Sequence, residues 1–107
     1  MTDSLVVLIT AATEDEAAAI AKALVEGRLA ACVNIVKQIR SIYRWQGKVE
    51  DEQEVLMIAK TRKELFADLV LQVKELHSYA VPEIIAMPIV EGSEGYLAWI
   101  ETETGKG

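Results

Sequence analysis

The chain has 107 residues, 51% of them hydrophobic and 26% charged, with 11 Lys and Arg against 17 Asp and Glu for a net charge of −6. That length suits one domain with its own core. The acidic balance argues against a nucleic-acid partner, which needs clustered cations to neutralise phosphates. One cysteine excludes an intrachain disulfide and fits a reducing compartment.

The start, Met1-Thr2-Asp3-Ser4, lacks the basic region of a signal peptide. No apolar run is long enough to cross a bilayer, so a soluble cytoplasmic protein is expected. Leu5-Val6-Val7-Leu8-Ile9 is a continuous apolar run, as expected of a central strand. Thr13-Glu14-Asp15-Glu16 reads as a capping box, with Ala17, Ile20, Ala21 and Leu24 recurring behind it at helical spacing. Gly27 stands where a helix C-terminus favours glycine.

From Ala30 to Lys60 nearly every residue suits a strand, and only Trp45-Gln46-Gly47-Lys48 reads as a turn. Arms of ~13–15 residues at ~3.3 Å per residue give a hairpin reaching roughly 45 Å. A compact chain of this length has a radius of gyration of only ~13 Å, so the hairpin should overhang its own domain. Its outer half carries Ile39, Ile42, Tyr43, Trp45 and Val49, which a monomer would cover poorly. A closed homo-oligomer is therefore expected. With Gln46-Gly47 as the turn, Tyr43 faces Glu50, Ser41 faces Glu52 and Ile39 faces Glu54. Arg40, Arg44 and Asp51 share the opposite face.

Thr61-Arg62-Lys63-Glu64 repeats the capping box and predicts a second helix with Phe66, Leu69, Val73 and Leu76 on one face. That helix should stop before His77-Ser78-Tyr79-Ala80-Val81-Pro82, since proline disfavours helix in its predecessor. Glu83 to Val90 predicts a fourth strand, and Pro88 within it argues for a sheet edge. Gly92 to Gly95 breaks the chain, Tyr96 to Ile100 predicts a short terminal helix, and the tail over 102–107 is expected to fray. The order β-α-β-β-α-β is the split βαβ, ferredoxin-like arrangement, an α+β sandwich in a single domain over 1–107.

The candidate metal ligands are His77, Cys32 and Glu83, because copper and zinc favour imidazole and thiolate donors. No C-x-x-C, H-x-x-x-H or H-E-x-x-H spacing supports a complete site within one subunit. Three copies of a residue could instead converge in an oligomer. The plainer readings are a polar helix-end residue for His77 and a small interior residue for Cys32, which has no basic residue beside it in sequence. Tyr43 and Trp45 at the hairpin tip suit an interface. Tyr79, Pro82 and Lys60, with Trp99, are candidates for an intersubunit cleft or interface. A nucleophilic Cys32 with His77 has no support beyond both residues being present, so no enzyme activity is expected.

Several stretches resemble CutA, the divalent-cation tolerance proteins. They are Gly27-Arg28-Leu29-Ala30-Ala31-Cys32-Val33-Asn34, Tyr43-Arg44-Trp45-Gln46-Gly47-Lys48, Glu54-Val55 with Lys60-Thr61, His77-Ser78-Tyr79-Ala80-Val81-Pro82-Glu83, and Tyr96-Leu97-Ala98-Trp99-Ile100. The resemblance covers roughly residues 4 to 101 in order. It implies a ferredoxin-like subunit, a tightly packed homotrimer, and tolerance of copper and other divalent metal ions. In the bacterial proteins, copper ligation is attributed to a cysteine near the end of the first strand and two adjacent histidines before Tyr-x-x-Pro-Glu. The matching positions here are Ile9, Leu76 and His77, so only the last keeps its ligand type. The alternative function is a small-ligand sensor or structural trimer of PII-like architecture with an indirect metal phenotype.

Overall fold

The computed structural model describes residues 2–105. β1 (Ser4–Ala11) is followed by α1 (Glu14–Glu26), β2 (Cys32–Trp45), β3 (Lys48–Arg62), α2 (Phe66–Leu76), β4 (Ile84–Pro88) and α3 (Glu94–Glu103). The strands form one antiparallel sheet in the order β2-β3-β1-β4. Its apolar run gives β1 a place between two neighbours, while β4, shorter than expected and ending in Pro88, lies at the edge.

Alternation along the strands separates two faces. Leu5, Val7, Ile9 and Ala11 share one face with Val55, Met57 and Ala59, and these pack against Ala17, Ile20 and Leu24 of α1 and Leu69 and Val73 of α2. That is the core. The opposite face carries Val6, Leu8, Leu56 and Ile58, all half-buried, with exposed Val36, Ile85 and Met87 alongside. Within the subunit, this second face has only partial cover.

The hairpin closes at Gln46 (φ 49°) and Gly47 (φ 80°), both in the left-handed region that a type I′ turn requires. The expected pairing follows: Ile39, Ser41 and Tyr43 stand opposite Glu54, Glu52 and Glu50. A register shift between Val36 and Ile39 places three residue steps on β2 against two on β3, the count of a bulge. β1 pairs with β3 only as far as Val55, so among the described residues no third strand lies beside the outer hairpin. The subunit accordingly measures 44 × 25 × 22 Å, and its longest dimension matches the expected reach of the hairpin.

Three local expectations are corrected. Thr61 does not cap α2: it is fully buried in β3, where its hydroxyl donates to Leu29 O (2.7 Å), and α2 begins after a 3-10 turn at Lys63–Leu65. Leu76 does not join the buried stripe of α2 and is exposed.

The tail expected to fray is anchored through Gly105, while Lys106 and Gly107 lie outside the described residues. Thr104 is buried, and its hydroxyl donates to Ile100 O (2.7 Å) while accepting from Arg62 Nε (2.8 Å). Arg28 donates to Thr102 O and Gly105 O, both at 2.7 Å.

Gly27 ends α1 as expected, while the left-handed position after it is taken by Arg28 (φ 60°). Leu29 N–H reaches Leu24 O and Arg28 N–H reaches Val25 O, the two bonds of a Schellman motif. Gly27 has an ordinary negative φ but lies so close to Ala23 O that an added Cβ would sit 3.0 Å away.

Candidate functional site

The segment after α2 is tied to three elements at the root of the overhanging hairpin. His77 Nε2 lies 2.7 Å from Thr10 O, and Tyr79 N–H donates to His77 Nδ1 at 3.0 Å. A carbonyl can only accept and an amide N–H can only donate. These partners therefore assign the neutral imidazole with its proton on Nε2. Both ring nitrogens are occupied within the subunit, and a metal ion at either would displace an existing bond.

Ser78 N–H donates to Glu16 Oε2 (2.7 Å), and Glu16 Oε1 accepts from Ala12 N–H (3.2 Å). Thr13 Oγ1 accepts from Glu16 N–H (3.1 Å), so the first capping motif forms at Thr13 while its glutamate turns outward to fasten the 77–79 segment. Burial works to raise the Glu16 pKa. Hydrogen bonds from Ser78 and Ala12 outweigh burial and leave it below the ordinary carboxylate value.

The Tyr79 hydroxyl donates to Glu54 Oε2 (2.8 Å), and only 8% of Glu54 is exposed. Burial and the Glu54 carboxylate both push the Tyr79 phenol upward, because its anion would be poorly hydrated beside a negative charge. Further out, the Tyr43 hydroxyl donates to Glu52 Oε1 (2.7 Å), raising Tyr43 to about 12. On the other hairpin face Arg40 binds Asp51 through two bonds of 2.8 and 2.6 Å, holding the Asp51 carboxyl low. The hairpin thus presents Glu50, Glu52 and Glu54 with Tyr43 on one side, and Arg40 and Arg44 with Ile42 and Val49 on the other.

Cys32 lies elsewhere. Its cross-strand partner is Lys60, so the ladder supplies the basic neighbour that the local sequence lacks. The Lys60 ammonium binds Asn34 Oδ1, toward which the Cys32 thiol is also directed at 3.8 Å. Lys60 pairs in turn with Val6, four residues along β1 from Thr10. At ~3.3 Å per residue and ~4.8 Å per strand, this puts Cys32 roughly 16 Å from the His77 anchor. Glu83 is exposed and Pro82 half-buried on the approach to β4, and Trp45 and Trp99 are exposed at the hairpin tip and on α3.

His77 and Tyr79 are therefore brought together, whereas Cys32 belongs to a separate cluster. Among the described residues no three His, Cys, Asp or Glu side chains are grouped so as to hold a metal ion. Thr10, Glu16 and Asn34 were missed as partners in these networks. Glu16 had a local signal only for capping, while the Thr10–His77 and Asn34–Lys60 contacts join residues distant in sequence.

Among the described residues no helix is long and apolar enough to cross a membrane. The model of the CutA1 divalent ion tolerance protein family matches residues 5–103. The chain is 57% identical over 100 residues to the divalent-cation tolerance protein CutA of Thermus thermophilus, covering 94% of this chain and 97% of that one. Human protein CutA is 47% identical over 96 residues; the match covers 90% of this chain but 54% of the human protein.

Among solved structures, the T. thermophilus divalent cation tolerance protein superposes with a TM-score of 0.93 at 56% identity, covering 95% of this chain and 99% of that one. The periplasmic CutA of Archaeoglobus fulgidus gives 0.91 at 46% identity, covering 94% and 97%. Matched from the first strand to the end of α3 in both sequence and fold, the chain belongs to the CutA1 divalent ion tolerance family.

Proposed function

We propose that this chain serves divalent-cation tolerance as a cytoplasmic homotrimer without catalysis of its own. Any bound copper or other divalent ion takes its ligands from more than one subunit. The observation carrying this reading is the overhanging hairpin. Ile42 is 64% exposed and Val49 63% exposed on an arm with strand neighbours only within itself. Exposed apolar strand surface of this kind favours association with another chain.

One hairpin face bears Glu50, Glu52 and Glu54, and the other bears Arg44 beside the paired Arg40 and Asp51, so the two faces differ in net charge. A head-to-tail contact between such faces closes into a ring when the rotation permits. Tyr43, Trp45, Lys60, Tyr79, Pro82 and Trp99 are the interface and cleft residues of this reading. The separation of Cys32 from His77 supports the shared-ligand part, since copper sites draw on several soft donors at bonding distance. Cys32, His77 and Glu83 then meet other ligands only across copies, and His77 must exchange one internal bond for the metal.

Native mass spectra with one and three equivalents of Cu²⁺ per subunit test the proposal. A trimer with a stoichiometric one or three coppers, lost in His77→Ala, is expected. A monomeric or dimeric mass removes the trimer. A statistical spread of adducts indifferent to His77→Ala removes the direct metal role and moves attention to small ligands in the intersubunit cleft.

A further inference from the structure

A cleft of about 370 Å³ lies at the opposite end of the sheet from the hairpin, between the start of β1, the end of β3 and α3. Its volume is at the small end of the range for small-molecule sites. The walls bring together five charged residues: Asp3, Glu64 and Glu101 are acidic, and Arg62 and Lys63 are basic. Leu97 supplies an apolar wall.

The wall formed by α3 is fixed by polar anchoring at its C-terminus. Arg28 binds Thr102 O and Gly105 O, while Arg28 O accepts from Gly105 N–H at 2.8 Å. Arg62 holds Thr104 through Oγ1 at 2.8 Å and the carbonyl at 3.2 Å, and also binds Glu64. These contacts use three of the five guanidinium N–H donors. The side chain is only 19% exposed, so Arg62 is a pinned cation on the cleft wall.

We infer that this cleft binds a small zwitterion of the free amino-acid class, its carboxylate at Arg62 and Lys63 and its ammonium at Asp3 and Glu101. The charge balance favours that class. With Glu64 already paired to Arg62, a simple anion would still meet Asp3 and Glu101 and a simple cation would still meet Lys63, whereas a ligand carrying both charges can satisfy both sets. Pre-organisation of the α3 wall lowers the ordering cost of binding. This inference is independent of the trimer and of metal binding.

The test is calorimetric titration of the full chain with the standard free L-amino acids, followed by the N-acetyl and carboxamide derivatives of the best binder. Saturable binding of one molecule per subunit is expected. Removal of either ligand charge should weaken binding about tenfold or more, the scale of one charge-assisted hydrogen bond. Lys63→Ala and Glu101→Ala alter exposed side chains and should weaken binding to a similar degree, with Glu26→Ala as an unaffected control. The inference is overturned if no amino acid saturates, if the derivatives bind as well as the parent, or if both cleft variants bind like the unmodified chain.

Discussion

Strand β3 belongs to two different environments. Along its inner half Val55, Met57 and Ala59 are buried under two helices, whereas Val49 near its outer end is 63% exposed. Both halves are apolar enough to form strand, and the ladder to β2 runs along both. The difference lies in what covers them: β1, α1 and α2 complete the inner half, and among the described residues no third strand reaches the outer one. Apolar side chains in the body stabilise the subunit, while those on the arm are available for association.

The largest effect separating these regions should come from the body. Leu24 is fully buried between α1 and the sheet, so Leu24→Ala should cost about 2–5 kcal/mol through lost burial and a residual cavity. Urea unfolding at fixed protein concentration measures it, and a loss below about 0.5 kcal/mol would contradict the assigned core. On the arm, Ile42→Glu should leave the circular dichroism unchanged and weaken the proposed assembly about a hundredfold by setting a carboxylate against the acidic face of a neighbouring copy. Sedimentation velocity across a dilution series would sink the proposed role of the arm if association were unaltered.

The legibility of the sequence follows the same division between local and distant causes. The Gln46-Gly47 turn set the pairing of Tyr43 with Glu50 because hairpin register depends on its own turn. The apolar spacing of α1 likewise identified Ala17, Ile20, Ala21 and Leu24, all buried. By contrast, Thr61-x-x-Glu64 resembles a cap, yet Thr61 bonds Leu29 across the fold. The left-handed Arg28 is accompanied by contacts to a segment more than seventy residues away, and His77 reaches back to Thr10. His77 and Tyr79 were expected to lie near each other from the sequence, but the internal use of both His77 nitrogens depends on folded partners and had no local signature.

The junction between body and arm offers a smaller perturbation. Tyr79→Phe removes the hydroxyl that bonds the largely buried Glu54 carboxylate and should destabilise the subunit by about 1–3 kcal/mol. Tyr43→Phe removes the corresponding bond to Glu52 at an exposed site, where water replaces the partner and the effect should be clearly smaller. Equal losses in thermal or urea unfolding would mean that the two tyrosine–glutamate pairs share one degree of burial, contrary to the observed gradient.

The smallest expected effects are pH-dependent and have opposite signs in the two regions. In the body, the lowered Glu16 pKa means that its stabilising contribution is present above the ordinary value of 4.5 and lost as pH falls through the folded value. Glu16→Gln should flatten the acid limb of a melting-temperature profile; identical limbs would remove Glu16 from the cause.

On the arm, Tyr43 is raised from 10.0 to about 12, so its contribution is present below pH 10 and lost as pH rises toward 12. Tyrosinate absorbance compared with Tyr43→Phe isolates this group. Ionisation near 10 would mean that the bond to Glu52 does not persist in solution and that the acidic face is mobile at its tip. Ionisation near 12 would mean that the face is already ordered before a partner arrives, reducing the conformational cost of association.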